Sequence, residues 1–378
     1  MKYLVIAVFL YTSPRTFSMR NRATLPLRSI SNNWQKSQTI KVLSSRLHST
    51  SESEGVSSTD SSLFSFGVIA DIQYVDAPDA MNFQNTTMRR YRQSFDTFKD
   101  AISSWDQLVD PPKCAIVLGD ILDGKSATMM NQEKCIDDVL QASSGASYEM
   151  LYCFGNHCHY SFSRKELFLK LSPRFLLSEG AAEVHSESKK STIDPSFGGI
   201  CSPSKLFYDW SPYPDWRFIS LDCYDISLIG ASSEGNKKIA EDLLARNNPN
   251  DLTIGTGWFN GLSYDMRRWV PYNGGISIEQ LNWLKIVLTR SYENNEKVVI
   301  FCHQPVYAPN KPQSLVWNAE EALAVIREHG NVVMWIAGHD HGGQVCERGA
   351  PHCSSPSHTL LIQSSTVKSR TLQDYLGG

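Results

Sequence analysis

The alternation of apolar and polar positions divides the chain of 378 residues into short blocks. Six runs, 64–70, 114–118, 150–154, 217–221, 298–302 and 332–337, are almost continuously apolar or β-branched, the pattern of strands buried on both faces. Between them, helical spacing predicts helices over about 90–108, 131–142, 164–171, 236–246, 277–290 and 318–329. The fifth opens on a capping box, Ser277 with Gln280, and its apolar Ile278, Leu281, Leu284 and Leu288 follow the helical period. Strand–helix alternation makes the expected class α/β. The Ser- and Pro-rich segment 185–216 and the Asn-, Gly- and aromatic-containing segment 247–275 read as long loops. No internal repeat is visible.

The first sixty residues stand apart. An apolar run at 4–10 behind Lys2 is too short to span a bilayer. The stretch from there to about residue 50 is rich in Arg and Ser. Residues 1–50 hold eight Lys or Arg and no acid, the composition of an organelle transit peptide. A mitochondrial or plastid address is therefore expected, with a cytosolic protein carrying a basic tail as the alternative. Residues 51–62 read as a linker. The expected organisation is 1–60 presequence and linker, a catalytic domain over 61–346, and a divergent tail over 347–378.

Composition narrows the function. Hydrophobic residues make up 41% and charged residues 20%, as in soluble globular domains. The net charge of −3 hides an asymmetry, because the chain after residue 50 carries 28 basic against 39 acidic residues. That body lacks the basic face of a nucleic-acid binder. The nine cysteines are scattered and odd in number, which argues for buried free thiols rather than a disulfide framework. A zinc site from Cys346, His352, Cys353 and His358 matches no spacing known to hold zinc.

Chemistry gathers where the apolar runs stop. Asp71 and Gln73 follow the first, Gly119-Asp120 with Asp123 the second, Gly155-Asn156-His157 the third, His303 the fifth and Gly338-His339-Asp340-His341 the sixth. A lone Asp after a strand is usually a helix cap. Five strand ends each delivering an oxygen or nitrogen ligand form a different pattern, at the edge where α/β sheets place ligands. The glycines are expected to make the tight turns that aim these side chains.

This ordered set, D-x-Q, G-D-x-x-D, G-N-H, H and G-H-x-H, resembles the calcineurin-like metallophosphoesterase superfamily. FSFGVIADIQY, LGDILDG, RFISLDCYDISLIG, NGGISIEQLNWL, VWNAEEALAVI and AGHDHGG look closer still to the manganese-dependent ADP-ribose/CDP-alcohol diphosphatases, over about residues 62–345. The resemblance implies a four-layer α/β/β/α sandwich of two packed sheets. The chain after residue 346 does not match, which leaves open whether the strands completing the second sheet are present. Cys158-His159 follow the G-N-H motif where relatives usually carry Glu and an aromatic.

The resemblance also implies roles. Asp71, Gln73 and His341 hold one metal; Asn156, His303 and His339 hold a second; Asp120 bridges them. Two carboxylates against four positive charges leave a positive site for phosphate. Mixed imidazole, amide and carboxylate ligands without thiolate fit Mn²⁺, with Fe²⁺ or Zn²⁺ as alternatives. His157 is expected to protonate the leaving group or contact the oxyanion. Asp123 and Asp340 are expected beside the ligands rather than among them. Phe83 could stack a nucleobase and Arg89 could meet a phosphate. Asn260, Gly261, Asn273 and Gly274 could line the pocket, whereas Trp258 and Trp269 read as packing. The implied reaction is hydrolysis of the diphosphate bond of ADP-ribose and CDP-alcohols, in a monomer with no membrane span in the mature protein. The alternatives are another phosphodiesterase or phosphomonoesterase, or a non-catalytic scaffold of the same fold.

Overall fold

The computed structural model describes residues 5–11, 42–43, 63–82, 85–173, 202–308, 311–341, 345–347 and 360–363. Two sheets dominate. In the first, β1 (Val5–Tyr11) and β2 (Val42–Leu43) lie outside β3 (Leu63–Ile69), which is followed by β4 (Cys114–Val117) and β5 (Glu149–Tyr152). Strands β3, β4 and β5 are parallel, and β1 runs antiparallel to β3 along its whole length, from Val5 opposite Ile69 to Tyr11 opposite Leu63. The apolar run read as part of a presequence is thus a strand of this sheet.

The second sheet contains, in chain order, β6 (Tyr208–Tyr213), β7 (Trp216–Ser220), β8 (Lys297–Cys302), β9 (Val332–Ala337), β10 (Val345–Glu347) and β11 (Leu360–Gln363). Their spatial order is β10-β11-β9-β8-β7-β6, with β7, β8, β9 and β11 mutually parallel. The unmatched chain beyond residue 346 therefore still adds a strand beside β9.

Six of these strands match the apolar runs within a residue or two. Strand β6 does not; it falls in the segment read as loop. Its sequence, YDWSPY, breaks the period with Ser and Pro, and the ladder to β7 shifts register there. Proline is tolerated because β6 is an edge strand. Its Asp209 holds buried Arg217 of β7 at 3.2 Å, and Glu296 holds the same guanidinium at 2.8 Å. A buried arginine needs such partners.

The side-chain alternation of the strands makes the layers. Phe66 and Val68 meet Phe218, Val299, Phe301, Met334 and Ile336 in one buried cluster between the sheets, with Phe66 edge-on to Phe218 at 5.0 Å. On the outer face of the first sheet, α1 (Tyr91–Asp106) lays Trp105 against Gly67, where a Cβ would sit 2.5 Å from the indole. Helix α2 (Gln132–Ser144) adds Cys135, Ile136 and Val139 to the same cluster. Two short helices, α3 (Asn156–Ser161) and α4 (Arg164–Leu171), follow β5, and α5 (Glu234–Asn247) follows β7. Outside the second sheet, α6 (Ile278–Glu293) and α7 (Ala319–Arg327) pack Leu281, Leu284, Leu288, Val325 and Ile326 on Ile219, Ile300 and Trp335. The order is α/β/β/α, as expected. Ile278 departs from expectation: at the first position of α6 it faces solvent at 72% exposure. The six cysteines whose side chains are described are free and buried. No helix among the described residues is long and apolar enough to cross a membrane.

His159 occupies an aromatic's place in this packing. Its ring lies 5.2 Å from that of Tyr224 and fills the space left by Gly230, and neither ring nitrogen has a hydrogen-bond partner. Burial first, then the charge of Arg164, pushes its pKa down to about 3. The folded state therefore binds fewer protons than the unfolded state below about pH 6.5, so stability is intact above that pH and erodes as pH falls toward 3. The cost approaches about 1.4 kcal/mol per pH unit. His159→Phe should flatten the fall in melting temperature between pH 6.5 and 4.5 relative to the natural chain; parallel slopes would exclude this account.

Candidate metal centre

The parallel strands put their carboxyl ends at one edge of the sandwich, and the chain turns sharply there. Asp71, Gln73, Asp120 and His339 adopt left-handed backbone at φ 52°, 46°, 47° and 65°. Such a conformation costs an L-residue on the order of 1 kcal/mol and clusters at functional sites. Gly119 makes the turn expected of it, at φ 88°. Gly155 and Gly338 serve another need. A Cβ on Gly155 would collide with Asp120 Oδ1, and one on Gly338 would lie 2.9 Å from both Asp71 Oδ2 and the Leu118 carbonyl. Close approach, not backbone freedom, requires glycine at these two positions.

The seven expected ligands converge. Asp120 Oδ1 lies 3.5 Å from His303 Nε2, whereas its Oδ2 lies 3.4 Å from the Gln73 amide. Each oxygen thus faces a different half of the site. On the first half, His341 Nε2 is 3.4 Å from Asp71 Oδ1, and the His339 backbone N–H donates to the same carboxylate at 3.1 Å. Burial raises the Asp71 pKa, but the hydrogen bond and charge of His341 outweigh it and hold the carboxyl below its usual range. Gln73 Oε1 is buried and has no hydrogen-bond partner.

On the second half, His303 Nε2 lies 3.1 Å from His339 Nδ1 and 3.3 Å from Asn156 Oδ1. His303 donates its Nδ1–H to the Leu118 carbonyl at 2.7 Å. His339 donates its Nε2–H to Asn273 Oδ1 at 2.9 Å. In the neutral rings the facing nitrogens are therefore both lone pairs. Burial, then the charge of His303, holds the His339 pKa well below its usual value, so that ring is neutral. Two imidazole nitrogens, an amide oxygen and a carboxylate oxygen point together with no proton to share. Neighbouring ligands on one ion lie about 3 Å apart, and His303 Nε2 lies 3.1, 3.3 and 3.5 Å from the other three atoms. The donor set fits a divalent cation, and Asp120, His303 and His339 form the metal-competent cluster among the described residues.

His157 sits beside this cage. Its Nδ1 accepts from the Gly124 backbone N–H at 2.9 Å, which puts the ring proton on Nε2, 4.0 Å from Asp120 Oδ2. Burial lowers its pKa, so the imidazole is a neutral donor. Other expected residues behave differently. Arg89 is paired with Asp123, which also accepts from the Lys125 backbone N–H, so this guanidinium braces a turn. Asp340 pairs with Lys311 at 2.7 Å. Asp123 and Asp340 thus flank the ligands without joining them. Phe83 lies outside the described residues, as do the side chains of the Cys346, His352, Cys353 and His358 set. Asn260 and Gly261 are exposed, Gly274 pairs with Ser227 in a two-residue ladder, and Trp269 stacks on Trp317. Trp258 donates its indole N–H to the Ile254 carbonyl.

Two residues contribute in ways the sequence did not predict. Asn273 is fully buried and does not line a pocket; Gln304 donates to its Oδ1 at 2.7 Å, and that oxygen grips His339 from behind. Tyr224, within the LDCYDISLIG stretch, donates its hydroxyl to Asn156 Oδ1 at 3.4 Å. The acids of that stretch are structural: Asp222 takes Arg164 at 2.5 Å, and Asp225 takes Gln280 at 3.2 Å. The asparagine of an N-G-G turn carries no sequence signal for supporting a histidine 66 residues away.

Comparison with known proteins gives the family. The model of the calcineurin-like phosphoesterase family matches residues 64–343. A manganese-dependent ADP-ribose/CDP-alcohol diphosphatase from Bos taurus is 40% identical over 301 residues, covering 78% of this chain and 83% of the relative. A protein of the same name from Arabidopsis thaliana is 34% identical over 289 residues, covering 74% and 81%. The crystal structure of a dimetal phosphatase from Danio rerio superposes with a TM-score of 0.64 at 33% identity, covering 79% of this chain and 86% of that one. With its five strand-end motifs assembled into one acceptor cage, this chain belongs to the calcineurin-like phosphoesterase family.

Proposed function

We propose that this protein hydrolyses the diphosphate bond of ADP-ribose and of CDP-alcohols such as CDP-choline and CDP-glycerol, giving a nucleoside monophosphate and a phosphorylated sugar or alcohol. The observation that carries the reading is the pair of acceptor sets sharing Asp120, its two oxygens turned to different halves of the site. Relatives bearing the diphosphatase name from animals and plants give the substrate class. All seven ligand positions are filled, which disfavours a scaffold without metal.

Asp71, Gln73 and His341 would hold one ion, Asn156, His303 and His339 the other, and Asp120 both. When bound, two divalent cations supply an acidified water and neutralise charge on the phosphoryl group, and the thiolate-free donor set suits Mn²⁺. The chain's own groups do the rest. Leu118 O and Asn273 fix the tautomers of His303 and His339, so that both rings meet the site with lone pairs. His157 keeps its proton on Nε2 and presents it to the leaving oxygen as charge develops there. The basic, acid-free stretch to residue 50 is read as an organelle address, which a fluorescent fusion of the full chain would reveal.

Purified protein with Mn²⁺ should convert ADP-ribose to AMP and a phosphorylated sugar, and chelation should abolish turnover. Intact ADP-ribose together with release of inorganic phosphate from AMP would instead mark a phosphomonoesterase. Asn273→Leu frees the His339 ring and should weaken Mn²⁺ binding by roughly ten- to a hundredfold, as removal of a ligand's supporting hydrogen bond does elsewhere; calorimetric titration of metal-stripped protein reads this directly. Gly155→Ala, whose methyl invades Asp120, should lose at least one Mn²⁺ per chain by elemental analysis while the circular dichroism spectrum stays α/β.

A further inference from the structure

Tyr160 is the large aromatic that the proposed mechanism leaves unused. It lies on α3, four residues after Asn156 and three after His157, and this spacing brings all three side chains to one helix face. Its ring meets that of His157 at 5.3 Å and 65°. Gly124 leaves it room, since a Cβ there would come within 3.0 Å of the Tyr160 ring. Asn156 beside it is buried and His157 half-buried, but Tyr160 is 43% exposed. An exposed phenol at the rim of a buried cage is placed to meet what enters.

Its hydrogen bonding gives the chemistry. Asn156 turns Oδ1 into the acceptor cage and donates Nδ2–H to the Tyr160 hydroxyl oxygen at 3.4 Å. The phenol oxygen is thus an acceptor toward the protein, and its own O–H remains to be donated outward. Cation binding at Asn156 Oδ1 would polarise this chain and strengthen that donor. His157 Nε2–H stands beside it as a second donor. Neither is among the metal ligands, so both are free for a group that the metals do not neutralise.

A diphosphate ester has such a group. One phosphorus is attacked over the metals, while the other phosphate departs carrying charge that needs its own donors. Resting on the diphosphatase reading above, we propose that the Tyr160 hydroxyl binds a non-bridging oxygen of this second phosphate, making Tyr160 a substrate-binding residue that favours diphosphate esters over single phosphates.

The test compares Mn²⁺-loaded natural chain and Tyr160→Phe by calorimetric titration with two probes, adenosine 5′-α,β-methylenediphosphate and AMP, alongside Mn²⁺ titration of the stripped proteins. The expected result is a loss of roughly tenfold or more for the methylenediphosphate, little change for AMP, and unchanged Mn²⁺ affinity. With ADP-ribose the variant should lose kcat/KM by a similar factor. Equal binding of both probes by the two proteins would overturn the proposal. So would a parallel loss for AMP and Mn²⁺, which would make Tyr160 merely a support for Asn156. A natural chain that turns over no diphosphate ester would instead refute the functional reading, whatever Tyr160→Phe does.

Discussion

The structure is organised around a repulsion. Acceptor atoms of His339, Asn156 and Asp120 lie 3.1, 3.3 and 3.5 Å from the His303 Nε2 lone pair. Buried lone pairs grouped with a carboxylate are unfavourable without a cation, and the fold must keep the arrangement from relaxing. Much of the surrounding structure serves that purpose. Left-handed turns at Asp71, Gln73, Asp120 and His339 aim the side chains, and Gly155 and Gly338 let the strand ends come close enough.

Orientation is controlled as tightly as position. Three imidazoles each have one nitrogen committed to a fixed protein partner: Leu118 O for His303, Asn273 for His339 and the Gly124 N–H for His157. The first two partners are acceptors and leave a lone pair facing the site. The third is a donor and leaves a proton facing it. The same side chain becomes a ligand or a proton holder according to what lies behind it. The sheets supply the rigidity: Phe66, Phe218 and Phe301 lock the two layers whose edges carry the cage.

The strand ends were legible because buried parallel strands are nearly unbroken apolar runs, and the first polar residue after each run marks where the chain emerges. That reading located Asp71, Asp120, Asn156, His303 and His339 without three-dimensional information. It failed where a residue acts through a fold-dependent contact. Asn273 sits in a glycine turn that could as well be a loop tip; its bonds to the Arg268 and Gln313 carbonyls and to Gln304 fix it under His339. Arg89 resembles a phosphate ligand until Asp123, 34 residues on, claims it. Strand β6 was hidden because an edge strand tolerates the Ser and Pro that erase a strand's period. The three glycines look alike in sequence, yet one makes a turn and two make room.

The pairing of β1 with β3 carries a consequence of its own. Seven consecutive residues of β3 find partners in a segment that also has the composition of a cleavable leader. Removal of that strand would leave this side of β3 a bare rim of unmatched amides and carbonyls, long enough to recruit a foreign strand.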